Sequence, residues 1–181
     1  MPRGRRHVVV AAPPAVRAPA DLAVIAGPAD WIELRLDLLL PLGTTSVAQW
    51  VAASPRPVLL TLRSKAEGGA FEGSFDEAAR VLGDAMHLPG VAAVDLEPDV
   101  ESLVEPCPDG VLRIVSTHTF ERYLLPAPAG AIRKRAVPLA GQADLGRLNR
   151  LVQAPEGGFY MPGGFSVPYG NLAYLRAIGR G

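Results

Sequence analysis

Eight short apolar runs, separated by turn residues or helix-like stretches, constrain the fold of this 181-residue chain more than any other feature. They read HVVVAA (7–12), DWIELRLDL (30–38), RPVLLTLR (56–63), GVAAVDLE (90–97), GVLRIVSTH (110–118), AIRKRAVP (131–138), GGFYM (157–161) and NLAYLRAI (171–178). Most are rich in Val, Ile and Leu, and several alternate apolar with polar residues, which is the period of a strand. Between them, TSVAQWVAAS (45–54), SFDEAARVLGDAMHL (74–88) and ADLGRLNRLVQA (143–154) read as helices. Ser74 with Glu77 makes a capping-box pattern, and Leu145, Leu148 and Leu151 make a helical stripe. Strands alternating with helices predict parallel pairing in an α/β fold.

Six to eight such strands predict a (β/α)8, TIM-like barrel. Ordinary barrels of this kind need about 250 residues. Here about 23 residues serve each unit, so several crossover helices are expected to be missing or very short. The clearest case lies between His118 and Lys134, where ERYLLPAPAGAI carries two prolines and a glycine. In the following strand Ile132, Lys134 and Ala136 share one face, and Arg133 and Arg135 share the other. An outer helix would require apolar residues where those arginines stand. That face is expected to be wet or covered by a partner chain, which would make the protein a homodimer. No repeat or linker divides the chain, so residues 1–181 are read as one domain.

Composition narrows the function. Eighteen basic residues balance eighteen acidic ones, so there is no global basic field to collect phosphates, and nucleic acid is not an expected partner. Cys107 is the one cysteine. It excludes an intramolecular disulfide, and without a Cys/His cluster no metal site is expected; a reducing, cytoplasmic setting fits. The opening MPRGRRHVVVAAPPAV has an apolar run that Pro13 and Pro14 interrupt too early for a signal sequence or membrane span, so it reads as a first strand. Of the basic residues sixteen are Arg and two are Lys, Lys65 and Lys134. A sequence that uses arginine wherever a solvated cation will serve raises a chemical question at each lysine.

Ionisable residues gather at the C-terminal halves of the strands, the end at which parallel barrels build active sites. Glu33, Arg35 and Asp37 stand at i, i+2 and i+4 and are expected on one strand face. Arg63 ends the third run and is followed by a glycine-rich loop with Glu67. Asp95 and Glu97 share a face of the fourth run, Ser116 and His118 of the fifth. Each has a plainer reading. Asp37 fits a compensating salt-bridge ladder, Asp95 and Glu97 internal hydrogen bonding, Lys65 a surface charge, Lys134 a solvated strand residue, and Gly68 and Gly69 the shaping of a turn.

Together the fragments ELRLD (33–37), TLRSKAEGG (61–69), VDLE (94–97), STHTF (116–120) and KRAVP (134–138) resemble type I 3-dehydroquinate dehydratase, in order and in strand context, over roughly residues 7–140. The resemblance implies a lyase of the shikimate pathway, serving aromatic amino-acid biosynthesis. It would dehydrate 3-dehydroquinate to 3-dehydroshikimate through an imine on Lys134, with no cofactor. A deprotonatable primary amine is required for that step, and arginine cannot replace it. Arg133 and Arg135 would favour the neutral amine, weakly if they face away. The resemblance further implies that His118 is the general acid and base and that Glu67 fixes its tautomer and supports its charge. Glu33, Arg35 and Arg63 would hold substrate hydroxyls and keep the lysine region polar.

The chain departs from the family pattern near its C-terminus. Where the family has a Ser-Arg pair whose arginine grips the substrate carboxylate, the nearest match places Val167 after Ser166. The family's lid segment finds its counterpart in Arg176-Ala177-Ile178-Gly179-Arg180, and Arg180 or Arg176 is the expected replacement cation. The alternative reading is a catalytically impaired homologue acting as a binding or interaction protein. Another lysine-imine barrel enzyme, such as an aldolase, fits Lys134 but leaves the EGG and STHTF fragments unexplained.

Overall fold

The computed structural model describes residues 7–12, 16–26, 29–42, 45–118, 131–138, 159–163 and 171–176. Its strands are β1 (His7–Ala12), β2 (Trp31–Arg35), β3 (Val58–Thr61), β4 (Val91–Leu96), β5 (Leu112–Thr117), β6 (Ile132–Pro138), β7 (Phe159–Gly163) and β8 (Asn171–Arg176). The helices are α1 (Asp21–Ile25), α2 (Leu36–Leu39), α3 (Val47–Ala53), α4 (Phe75–Ala85) and α5 (Pro98–Glu101), with single 3-10 turns at Leu40–Leu42 and Lys65–Glu67. Among the described residues only α4 reaches 11 residues. The expected economy of crossover helices is met by α1, α2 and α5, of 5, 4 and 4 residues. The helix read at 143–154 and the gap between His118 and Lys134 fall largely outside the described residues.

One eight-stranded sheet runs in the order β7-β6-β5-β4-β3-β2-β1-β8, and its two end strands lie against each other. This is the strand order of a shortened (β/α)8 barrel. From β1 to β7 every ladder is parallel, as the alternation of strands and helices predicts. The expectation fails at β8, which pairs antiparallel with β1, from Ala12↔Asn171 to His7↔Arg176. Nothing in NLAYLRAI specifies a direction, because alternation is the same read either way.

Alternation sorts the interior strands into two faces. Ile32, Leu34, Val58, Leu60, Leu62, Val94 and Leu96 pack with Trp50 and Val51 of α3 and Ala78, Ala79, Leu82 and Ala85 of α4 in the main apolar cluster. Each such large side chain contributes roughly 1.5–3 kcal/mol by leaving water. Ser46 begins α3 with a complete capping box to Gln49, and Ser74 begins α4 by accepting from the Glu77 backbone N–H at 3.1 Å. Both caps satisfy amides that the first helical turn leaves over. The opposite strand face changes character along its length. On β3 it runs Leu59, Thr61, then Arg63 beyond the strand end; on β4, Ala93, Asp95, then Glu97; on β5, Ile114, Ser116, then His118. That face becomes ionised toward the C-terminal ends.

The run at 30–38 is a shorter strand than its alternation predicts. The backbone leaves β2 at Arg35, and Leu36, Asp37 and Leu39 are buried on the helical turn α2. Asp37 therefore does not continue the strand face of Glu33.

Candidate active site

Arg63, 3% exposed, organises the ionised end of the barrel. Its Nη1 donates to Glu97 Oε1 at 3.3 Å and to Ser116 Oγ at 3.2 Å, and its Nη2 lies 3.2 Å from Asp95 Oδ2. Ser116 in turn donates its hydroxyl to Asp95 Oδ1. Glu97 Oε1 also receives the Ser64 backbone N–H at 2.9 Å. One guanidinium thus joins the ends of β3, β4 and β5. Such groups can be buried together because each charge meets an opposite charge and directed hydrogen bonds.

The glycine-rich loop is tied down from two sides. Asp37 accepts from Arg35 Nε at 2.8 Å and Nη2 at 2.6 Å, and from the backbone N–H groups of Arg63 at 3.3 Å and Ala70 at 3.0 Å. Burial works against the Asp37 charge, but the Arg35 fork and the two amides outweigh it and hold the carboxyl below its ordinary range. The same fork raises Arg35 above the usual guanidinium value. Inside the loop, Ser64 caps the 3-10 turn by accepting from Glu67 N–H at 3.3 Å. Gly68 closes the turn at φ 81°, a left-handed conformation that glycine adopts without penalty. At Gly69 a Cβ would lie 2.2 Å from the Arg63 carbonyl oxygen, so the loop folds onto the strand end only without a side chain there.

This local geometry delivers Glu67 to His118. Glu67, 6% exposed, accepts the His118 backbone N–H at 2.6 Å, and its Oε2 lies 3.5 Å from His118 Nδ1. Burial opposes the Glu67 charge; contact with the His118 ring and amide, together with the Arg63 charge, wins and lowers its carboxyl. An imidazole with one nitrogen facing a carboxylate has a defined orientation, which suits proton transfer through the other nitrogen.

The remaining expected site residues divide by place. Glu33 is buried on β2 and accepts from Thr61 Oγ1 at 2.7 Å. Arg35 is the more accessible guanidinium, its side chain 29% exposed. Lys134 is described by register: it stands opposite Ser116 on β5 and Phe159 on β7. Val167 and Arg180 lie outside the described residues. Arg176 ends β8 opposite His7, the first residue of β1, so the chain leaves β8 at the end of the barrel away from the ionised cluster. Lys65 is a surface charge paired with Glu72, as its plainer reading has it. Among the described residues no cluster of His, Cys, Asp and Glu could hold a metal ion, and no helix is long and apolar enough to cross a membrane.

Sequence reading overlooked Thr61 and Ser64. A signal existed for Ser64, since Ser64-Lys65-Ala66-Glu67 is a capping pattern like the one noticed at Ser74. None existed for Thr61, whose partner is 28 residues away.

Comparison with known proteins places this geometry. A family model described as type I 3-dehydroquinase matches residues 7–154. The 3-dehydroquinate dehydratase of Methanothermobacter thermautotrophicus is 29% identical over 143 residues, which are 79% of this chain and 62% of that protein. The chain therefore spans less than two thirds of that relative's length. Among solved structures, the 3-dehydroquinate dehydratase of Enterococcus faecalis superposes with a TM-score of 0.62 at 17% identity, over 92% of this chain and 82% of its own. The type I enzyme of Clostridium difficile gives 0.59 at 18%, over 88% and 77%. At such identities the superpositions speak for the barrel fold alone. The family match runs from β1 past the end of β6, well over half of the residues, and by that measure the chain belongs to the type I 3-dehydroquinase family.

Proposed function

We propose that the chain is a lyase that dehydrates 3-dehydroquinate to 3-dehydroshikimate through an imine on Lys134. The observation that carries this reading is the Glu67–His118 pair, set beside an Arg63 cluster whose Ser116 is in register with Lys134. An acid–base pair and an amine brought to one strand-end cluster are what an imine-assisted elimination needs.

The steps balance without a cofactor. The neutral Lys134 amine adds to the ketone, and the resulting hydroxyl takes a proton from solvent and leaves as water, giving an iminium; that proton is returned when the iminium is hydrolysed. Its positive charge acidifies the adjacent carbon, and neutral His118 removes that proton. The electron pair then expels the hydroxyl on the neighbouring carbon, which takes the proton back from His118 and departs as water. Hydrolysis of the remaining imine releases the product and restores the amine. Glu67 stabilises His118 in its transient cationic form. Glu33, Arg35 and Arg63 line the polar end that receives substrate hydroxyls, with the buried Arg63 chiefly ordering carboxylates and the more accessible Arg35 better placed for direct contact. Arg180 is the expected replacement for the arginine that Val167 replaces, but the antiparallel β8 brings Arg176 to the opposite end of the barrel, so no cation is assigned to the substrate carboxylate.

The test is intact mass after incubation with 3-dehydroquinate and borohydride, alongside product absorbance, on wild type and Lys134→Ala. A lysine-dependent adduct with product formation is expected. An adduct without product would place a defect in the His118 and Glu67 step. Neither adduct nor product would overturn the enzyme reading in favour of a binding protein.

A further inference from the structure

Ser116 is completely buried between Asp95 and Arg63. A serine hydroxyl has one hydrogen and two lone pairs. Here the hydrogen goes to Asp95 Oδ1 and one lone pair takes Arg63 Nη1, so both the rotamer and the direction of the second lone pair are fixed. Its register partner on β6 is Lys134.

The charges around this point are unequal. Arg63 serves two carboxylates, Asp95 and Glu97. Glu33 and Arg35 come from β2, Asp37 from α2, Glu67 from the loop after β3, and His118 follows β5, while Arg133 and Arg135 flank Lys134 on β6. Among the described side chains, five buried carboxylates (Glu33, Asp37, Glu67, Asp95 and Glu97) face the two guanidinium groups of Arg35 and Arg63. An excess of buried negative charge favours a cation nearby.

We propose that Ser116, oriented by Asp95 and Arg63, is a positioning residue for the Lys134 nitrogen, accepting an N–H from its ammonium and iminium forms. The inference rests on the reading of Lys134 as the imine-forming residue. Ser116 takes no part in bond making. It holds the iminium in one direction and lets the Asp95 carboxylate stabilise its charge, at the cost that the neutral amine forms at higher pH.

Reductive methylation with formaldehyde and cyanoborohydride reads this amine without the substrate. The full chain has two lysines, and Lys65, exposed and paired with Glu72, is the internal reference. Labelling at each is followed against pH by peptide mass spectrometry. In Ser116→Ala the half-maximal reactivity of Lys134 is expected to move to lower pH by about one unit, and further in Asp95→Asn, with Lys65 unmoved. Ser116→Thr, which keeps the hydroxyl, is expected to return the midpoint toward wild type. An unmoved midpoint in folded Ser116→Ala, with or without a lower melting temperature, overturns the proposal, as does a move to higher pH. If the midpoints shift as expected but wild type forms no adduct with 3-dehydroquinate, the positioning role stands and the substrate reading fails.

Discussion

Two arginines hold this fold together in different ways. Arg63 binds side chains: Asp95, Glu97 and Ser116, drawn from two neighbouring strands and their ends. Arg113, at the start of β5, binds mostly backbone. It donates to the carbonyls of Glu101, Val104 (3.0 Å) and Glu105 (2.9 Å), and to the Glu101 carboxylate at 3.0 Å. Those carbonyls lie at and beyond the C-terminus of α5, where a helix leaves acceptors without partners. Arg113 satisfies groups that the backbone leaves over in any case. Arg63 compensates carboxylates that an apolar core would not contain. A buried ion cluster is weak evidence for stability, since well-packed apolar residues of similar volume often serve as well. Its place at the C-terminal strand ends is where the proposed chemistry would need it, while Arg113 at the other end of β5 serves the backbone.

The largest expected effect comes from removing Arg63. Arg63→Ala leaves Asp95 and Glu97 buried without their shared cation, a loss of about 3–5 kcal/mol. Urea unfolding is expected to show that loss, and borohydride trapping at low temperature, where the variant is folded, to show little adduct. Arg113→Ala is the counterpart. It is expected to lose about 1–3 kcal/mol for carbonyls left unsatisfied, yet to trap substrate at the wild-type rate. Equal trapping in the two variants would erase the distinction drawn between them.

A smaller effect sharpens the comparison through pH. Asp37 and Glu67 have carboxyls held below their ordinary values in the folded chain. A depressed carboxyl stabilises the fold above its unfolded value, near 4, and that contribution is lost as pH falls through the folded value. Stability is therefore expected to decline with acid from about pH 4 downward. In Asp37→Asn the decline should be shallower, because one of the linked protons is gone, and the loop that carries Glu67 should loosen. Acid titration of the unfolding free energy checks the first point. Protection of the Ala70 amide from hydrogen exchange checks the second.

Much of the barrel was legible because its signals are local. Runs such as VLLT and VAAVDL place a strand whatever surrounds them, and Ser74 with Glu77 announces α4. The short helices α1 and α5 were not legible, since 4 or 5 residues hold too little periodicity. Asp37 was misplaced for a related reason. The alternation Glu33-Leu34-Arg35-Leu36-Asp37 continues past the point where the backbone turns helical, and there Asp37 meets amides 26 and 33 residues away that no local pattern announces. Ionised residues were legible as types at strand ends, but their partners were not. Arg35 and Arg63 look equivalent in sequence; only the fold buries one among carboxylates and leaves the other partly open.

In the proposed reaction the ionised strand ends serve an amine at position 134. Locating the borohydride-reduced adduct tests it most directly, because the chain offers two lysines alone. After incubation with 3-dehydroquinate, reduction and peptide fragmentation, the account predicts the added mass on Lys134, with Lys65 unmodified. Modification of Lys65 instead, or equal modification of both, would contradict it.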